Sequence, residues 1–449
     1  MTNNNLEESL KRHIPKKRMA ICTLGCRVNF YESEAMTEKF IKEGYSLVDF
    51  QQVADVYVIN TCSVTNIGDK KSRQMISRAR RLNPEAVIAV VGCYAQISPK
   101  EVSLIEGVDV VLGTRNKSEI VYWVNRFNEE GKQIIKVSDV LQNKHFEELN
   151  IEEYQDKTRA FLKIQDGCNR FCSYCLIPYA RGAVCSKEPE KIIEECKKLA
   201  QHGFKEVILS GIHIASYGVD LKDGVDLVTV IEEINSLDGI ERIRIGSVEP
   251  SFFTEDNIKR LCKCQKLCPH FHLSLQSGCD ETLKRMNRRY TTEEYASTVN
   301  KLRQYIEDVS VTTDVIVGFP GESQEEFEKT YEFLKKLELT KTHVFKYSIR
   351  KGTKAALMEN QVESSIKDER SNKLIALNLI NEKKYMEKYL NKELPVLFEE
   401  KIKEKENIYE GYTPNYIRVL AASHENIKGK ILKVLLKDIQ SEYMYGKMI

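Results

Sequence analysis

The sequence predicts an α/β protein in three parts: an N-terminal open parallel sheet with helices on both faces, a central partial (β/α)6 barrel, and a C-terminal small antiparallel β-barrel. Three observations predict it. Short apolar runs alternate with helical patterns across residues 18–124. The same alternation recurs, about six strand–helix units long, across 158–360. A long charged helix then gives way to short β-rich stretches over 391–449.

The elements follow in order. A polar, basic tail over 1–17 has no apolar core and argues against secretion, which places the chain in the cytoplasm. Strands are expected at 19–22, 56–59, 86–91 and 108–112, with helices at 33–43 and 70–82 between them. A polar linker over 125–157, rich in Glu, Lys and Gln, holds one candidate strand at 133–137. The barrel reads as a strand at 161–164, then helix and strand pairs at 189–202 and 206–210, 226–236 and 242–246, 257–264 and 270–275, 292–306 and 310–317, and 324–337 and 342–346. An incomplete barrel has an open side that admits a large substrate. A connecting helix over 361–390 is expected to end at Pro395. Strands at 395–398, 416–420 and 430–436 then suggest the small barrel.

Composition sets limits. The 449 residues are 42% hydrophobic and 30% charged with a formal net charge of +2, so overall charge selects no partner. No apolar run reaches membrane-spanning length. The 13 cysteines lack a secretory context, which points to metal or redox chemistry rather than crosslinks.

Cys168, Cys172 and Cys175 form a C-x3-C-x2-C loop directly after a predicted strand. A 4Fe-4S cluster takes four thiolates, so three leave one iron open for another ligand. Zinc would need a fourth ligand, usually from a second Cys or His pair, and none follows nearby. A second triad, Cys26, Cys62 and Cys93, sits at the carboxyl ends of three neighbouring predicted strands. Ligands gather at such ends, so these thiols are expected to converge on a second cluster with an open iron. Cys22, Cys185, Cys196, Cys262, Cys264, Cys268 and Cys279 have no matching spacing and read as structural.

The cysteine loop resembles that of the radical S-adenosylmethionine enzymes. With Leu24-Gly-Cys-Arg-Val-Asn29 and Asn60-Thr-Cys-Ser-Val-Thr65, it resembles the methylthiotransferase subfamily across nearly the whole chain. The resemblance implies two 4Fe-4S clusters and two S-adenosylmethionine molecules per turnover. One molecule methylates the transferred sulfur, and the other yields a 5′-deoxyadenosyl radical at the Cys168/Cys172/Cys175 cluster. It also implies S-adenosylmethionine contacts for Tyr174, Ser210 with Gly211, Gly318 and one of Arg288 or Arg289, while Glu249 and Gln276, polar residues at the carboxyl ends of the third and fourth barrel strands, read as cofactor-binding from that position, Glu249 as an acceptor for a ribose or an amine. His213 has no assigned role, because hydrogen abstraction by a radical needs no base. Glu410-Gly-Tyr-Thr-Pro-Asn-Tyr416 resembles the signature turn of the TRAM domain, which implies RNA contacts for Tyr412 and Asn415. Arg73 and Arg78 belong to a basic helix cluster of the kind that contacts phosphates.

The motif variants, with Gly211-Ile-His-Ile-Ala-Ser-Tyr-Gly218, resemble the branch acting on N6-threonylcarbamoyladenosine at position 37 of tRNA. The expected product is its 2-methylthio derivative. The expected partners are the tRNA anticodon loop, a sulfur source and a reductant such as flavodoxin or ferredoxin, with no membrane. Isopentenyladenosine 37 or a ribosomal-protein aspartate are alternative substrates, and a nonenzymatic iron–sulfur RNA-binding protein is the alternative outside this chemistry.

Overall fold

The computed structural model describes residues 17–63, 66–142, 145–149, 151, 158–222, 224–402 and 405–449. The tail expected over 1–17 lies, except for Lys17, outside the described residues, as do Val64 and Thr65 of the second cysteine motif. The chain forms two units, one taking Met1–Glu153 with Tyr179–Arg181, the other taking Tyr154–Pro178 with Gly182–Ile449.

The first unit is a six-stranded parallel sheet in the order Ser46–Leu47, Arg18–Thr23, Val56–Thr61, Val87–Gly92, Val110–Leu112, Ile134–Lys136. Every residue of Val56–Thr61 and Val87–Gly92 is buried, as expected of central parallel strands covered on both faces. Alternation along the strands divides the core. Val56, Val58, Ala89 and Val91 pack with Phe40 and Val124 on one side. Tyr57, Ile59, Ile88 and Val90 pack with Ile76 and Val102 on the other. Each fully buried Val or Ile contributes about 1.5–3 kcal/mol relative to exposure, so the sheet is a rigid platform for its carboxyl-end loops. The sheet extends beyond the expected boundary. Helix Ile120–Glu130 runs through residue 124, and Ile134–Lys136 pairs with Val110–Leu112, so the first part of the expected 125–157 linker is edge structure of this sheet.

In the second unit, six parallel strands follow chain order: Arg159–Lys163, Glu206–Ser210, Arg242–Ile245, His270–His272, Ser310–Val317 and Lys341–Lys346. They form two three-stranded sheets joined by the bridges Ile243↔Leu267 and Val248↔Leu273. This is the expected partial barrel. Its last strand is covered by helix Ser364–Glu387, whose Asn378 accepts a hydrogen bond from the Thr342 N–H at 2.6 Å. Two helix starts carry a full capping box: Thr291 with Glu294 and Ser323 with Glu326.

The C-terminal barrel is closed, in the order Glu393–Lys401, Ile408–Tyr412, Arg418–Ala422, Met444–Met448, Ile431–Ile439. Pro395 does not end the preceding helix, which stops at Glu387 before a turn at Asn391 with φ +60°. Pro395 lies inside the first barrel strand, opposite Lys433.

Candidate functional site

The Cys168–Cys175 loop leaves the first barrel strand through a short hairpin, Gln165–Asp166 against Cys185–Ser186. Gly167 has φ +73°, and a Cβ there would stand 1.9 Å from the Ala183 carbonyl oxygen, so the turn into the loop requires glycine. Each of the three sulfurs accepts a hydrogen bond: Cys168 from the Arg170 N–H at 3.4 Å, Cys175 from the Ile177 N–H at 3.4 Å, and Cys172 from Arg288 Nη1 at 3.2 Å. Donors aimed at sulfur suit thiolates that ligate a cluster. Burial, followed by the neighbouring cysteines, pushes the Cys168 thiol up to about 11 and the Cys175 thiol up to about 12. A metal centre supplies the positive charge that ionises such thiols. The loop is fixed from outside by Ser173, which donates through its N–H to the Met286 carbonyl at 3.0 Å and through its hydroxyl to the Arg285 carbonyl at 2.9 Å.

Glu249, after the third strand, is the hub of an adjoining cluster of charged side chains. It pairs with Arg170 Nη2 at 2.8 Å, His213 Nε2 at 3.1 Å and Arg288 Nη2 at 3.1 Å. Burial alone would raise its carboxyl, but the His213 hydrogen bond and the Arg288 and Arg170 charges outweigh burial and hold it at about 2. The structure separates the two candidate arginines. Arg288 is buried between Cys172, Glu249 and Tyr290, whereas Arg289 is exposed and is not brought into the cluster. Tyr174 has a ring edge on Phe319, and burial raises its hydroxyl well above the ordinary range.

Other expected contacts are placed at strand ends. Ser210 is buried, with its hydroxyl donating to the Ile208 carbonyl at 3.3 Å. The adjacent Gly211 lies against Gln165. Gln276 holds φ +72°, a backbone state that L residues rarely adopt and that clusters at functional sites. The Gly318 N–H donates to Glu322 at 2.9 Å.

Cys26, Cys62 and Cys93 follow three adjacent strands of the first sheet, at their carboxyl ends. Gly25, with φ +106°, lets the two loops approach: a Cβ there would stand 2.6 Å from Cys62 Cβ. Asn29, fully enclosed, donates to the Leu24 carbonyl at 2.7 Å and the Thr61 carbonyl at 2.9 Å, bracing the Cys26 loop against the Cys62 loop. Its amide oxygen accepts from Arg181 Nη2 at 2.6 Å. Arg181 and Lys117 both pair with Glu32, and all three side chains are fully buried. Arg181 and Lys117 lie near the Cys26 and Cys93 thiols, where their charge suits an anionic thiolate cluster, although burial lowers the Lys117 ammonium below its ordinary value. Among the described residues, no three His, Cys, Asp or Glu side chains are close enough to hold a single metal ion. Cluster thiolates bind separate irons and need not converge on one point.

The RNA residues divide. Arg73 and Arg78 lie on helix Asn66–Leu82, where Lys70, Arg73, Ser77 and Arg81 line a shallow surface cavity. Arg73 Nη1 donates to the Tyr94 hydroxyl at 3.0 Å, and Arg78 Nη2 to Gln51 at 2.6 Å. Tyr412 and Asn415, the other expected RNA contacts, are engaged in packing within the second unit. Asn415 is buried and donates to the Tyr385 hydroxyl at 3.0 Å. Tyr412 stacks on Tyr416 and carries the Arg159 guanidinium, while its carbonyl accepts from Arg242. The turn therefore docks the small barrel onto the amino ends of the partial-barrel strands.

Sequence reasoning missed Arg170, His213 as a Glu249 partner, the buried Lys163–Asp166 ion pair at 2.7 Å, and the Glu32 hub. Asp166 and Lys163 could have been suspected as two charges in an otherwise apolar strand end.

A family model described as the Radical SAM superfamily matches residues 162–334, and one described as Uncharacterized protein family UPF0004 matches residues 18–113. Threonylcarbamoyladenosine tRNA methylthiotransferase MtaB of Bacillus subtilis is 46% identical over 96% of this chain and 95% of its own. The protein of the same name from Aquifex aeolicus is 41% identical over 93% of this chain and 100% of its own. A tRNA-2-methylthio-N(6)-dimethylallyladenosine synthase of Clostridium botulinum is 36% identical over 95% of this chain and 96% of its own. Among solved structures, the radical S-adenosylmethionine methyltransferase TsrM of Kitasatospora setae shares the fold, with a TM-score of 0.57, 14% identity, and coverage of 76% of this chain and 77% of that one.

Proposed function

The chain belongs to the radical S-adenosylmethionine tRNA methylthiotransferases, and from that membership we propose that it converts N6-threonylcarbamoyladenosine at position 37 of tRNA into its 2-methylthio derivative. The observation that carries the reading is the 46% identity with the Bacillus enzyme over 96% of the chain. The dimethylallyladenosine synthases, at 36%, stand as the second reading.

The family uses S-adenosylmethionine and 4Fe-4S clusters, which when bound supply the radical and the sulfur chemistry. This chain's residues do the rest. Cys168, Cys172 and Cys175 are assigned to the radical-generating cluster, and Cys26, Cys62 and Cys93 to the auxiliary one. Arg288 faces the amino-acid end of S-adenosylmethionine, with Glu249 holding it in place. Tyr174, Gly211, Gln276 and Gly318 shape the walls of the nucleoside pocket. Arg73 and Arg78 contact tRNA phosphates. Position 37 lies in a single-stranded loop, where bases are reached with little unstacking. The sulfur source, a flavodoxin- or ferredoxin-type reductant and a cytoplasmic location complete the proposal. No helix among the described residues is long and apolar enough to cross a membrane.

Mass spectrometry of tRNA nucleosides from a strain lacking this protein tests the substrate. Loss of 2-methylthio-N6-threonylcarbamoyladenosine, with 2-methylthio-dimethylallyladenosine retained, is expected. The opposite pattern selects the second reading.

A further inference from the structure

Beside the Cys168–Cys175 loop, Arg170, Arg288 and His213 gather around the single carboxylate of Glu249. Arg288 is the inner cation, 7% exposed, donating to the Cys172 sulfur as well as to Glu249. Arg170 is the outer cation, 27% exposed, in the same loop. His213 stands beside it on the loop after the second strand, with ring Nδ1 at 2.6 Å from the Ser216 hydroxyl and its backbone N–H donating to Gln165 Oε1 at 2.7 Å. Both His213 ring nitrogens are engaged, Nδ1 with Ser216 and Nε2 with Glu249 and the Arg170 Nε at 3.4 Å, so Glu249 and His213 together orient the Arg170 guanidinium before a ligand arrives. They sit where substrates of parallel barrels react, at the carboxyl ends of the strands.

The two candidate nucleosides differ in charge at this place. A threonylcarbamoyl group on N6 ends in a carboxylate and a hydroxyl. A dimethylallyl group is a branched hydrocarbon with no polar atom. An arginine held by a carboxylate and a histidine matches the first and gains nothing from a hydrocarbon for its desolvation.

We propose that Arg170, oriented by Glu249 and His213, forms the subsite for the carboxylate of the adenine N6 substituent and so sets the enzyme's substrate choice. The inference rests on the substrate reading above and adds the residues that would enforce it. Arg170 contacts the substrate, and Glu249 and His213 are positioning residues.

The test measures equilibrium affinity of the anaerobically reconstituted enzyme for two tRNAs identical except at position 37, one carrying N6-threonylcarbamoyladenosine and one carrying adenosine. The wild type should prefer the modified tRNA. Arg170→Gln and His213→Ala should each reduce that preference roughly tenfold while leaving affinity for unmodified tRNA unchanged. Arg170→Lys, which keeps the charge, should retain most of it. His213 lies outside the cysteine loop, so its variant reports on the subsite even if changes at Arg170 cost iron. Full preference in both variants overturns the proposal. So does a raised S-adenosylmethionine KM for 5′-deoxyadenosine formation without a change in preference, which would assign Arg170 to the cofactor's own carboxylate. A wild type that makes no methylthio product from threonylcarbamoyladenosine tRNA refutes the substrate reading instead. Product formation with undiminished preference in both variants refutes only the subsite.

Discussion

Replacing Asn29 by Ala should loosen the auxiliary site without touching a cysteine. Asn29 is 1% exposed, and three of its side-chain bonds are lost together. Two are neutral, to the Leu24 and Thr61 carbonyls at 2.7 and 2.9 Å, and one is charge-assisted, from Arg181 at 2.6 Å. With about 1 kcal/mol for each neutral bond and about 2 kcal/mol for the charged one, the loss is about 4 kcal/mol, or roughly a thousandfold in the opening equilibrium. Alanine offers no replacement donor, and the site is too enclosed for the two carbonyls to relax freely. Trp123 is the chain's only tryptophan and lies on helix Ile120–Glu130 of the same unit, so its fluorescence during urea unfolding reports this unit alone. The variant should unfold at markedly lower urea and, after anaerobic reconstitution, hold about half the wild-type iron. Unfolding within about 0.5 kcal/mol of wild type, with full iron, would refute the claim that Asn29 clamps the two cysteine loops.

Other outcomes follow from the same geometry. Gly167→Ala puts a methyl group against the Ala183 carbonyl at a φ of +73°, so it should abolish 5′-deoxyadenosine formation and remove about half the iron; normal turnover would contradict the turn geometry. Glu249 is held at about 2, below its ordinary value of 4.5, so its contribution to stability is complete above about 4.5 and is lost as pH falls towards 2. Acid unfolding should therefore be steeper in this window for the wild type than for Glu249→Gln, and parallel curves would remove the assigned network. Asn415→Ala should lower thermal stability through the lost Tyr385 bond while leaving tRNA affinity intact, and a selective loss of tRNA binding would return Asn415 to the RNA interface.

The fold was legible where local and long-range preferences agree. The strand Ser310–Val317 and the helix Gln324–Leu337 match their expected bounds, the helix being marked by Ser323 and Glu326 as a capping box. Helix Ile120–Glu130 was obscured because polar residues 125–130 resemble a linker when its buried Ile120 and Val124 face is not weighed. Pro395 misled because proline inside a strand is tolerated on an unpaired edge: there the strand pairs with Ile431–Ile439 alone, and its pairing with Ile408–Tyr412 begins at Leu397. Six cysteines could be singled out by spacing and strand position alone. Their partners could not: Arg170 meets Glu249, and Glu32 meets Arg181, across distances in sequence that only the packed sheets close. The choice of Arg288 over Arg289 depends on which neighbour of a loop points inward, and composition says nothing of that.

The central claim is that six cysteines hold two separate clusters, each with an iron left open. Iron and sulfide content, with Mössbauer spectra, of the anaerobically reconstituted wild type, Cys62→Ala and Cys172→Ala tests it most directly. The wild type should carry about eight irons per chain. Each variant should keep about half, and only Cys172→Ala should lose reductive cleavage of S-adenosylmethionine. A full complement of iron in either variant, or a single cluster in the wild type, would contradict the account.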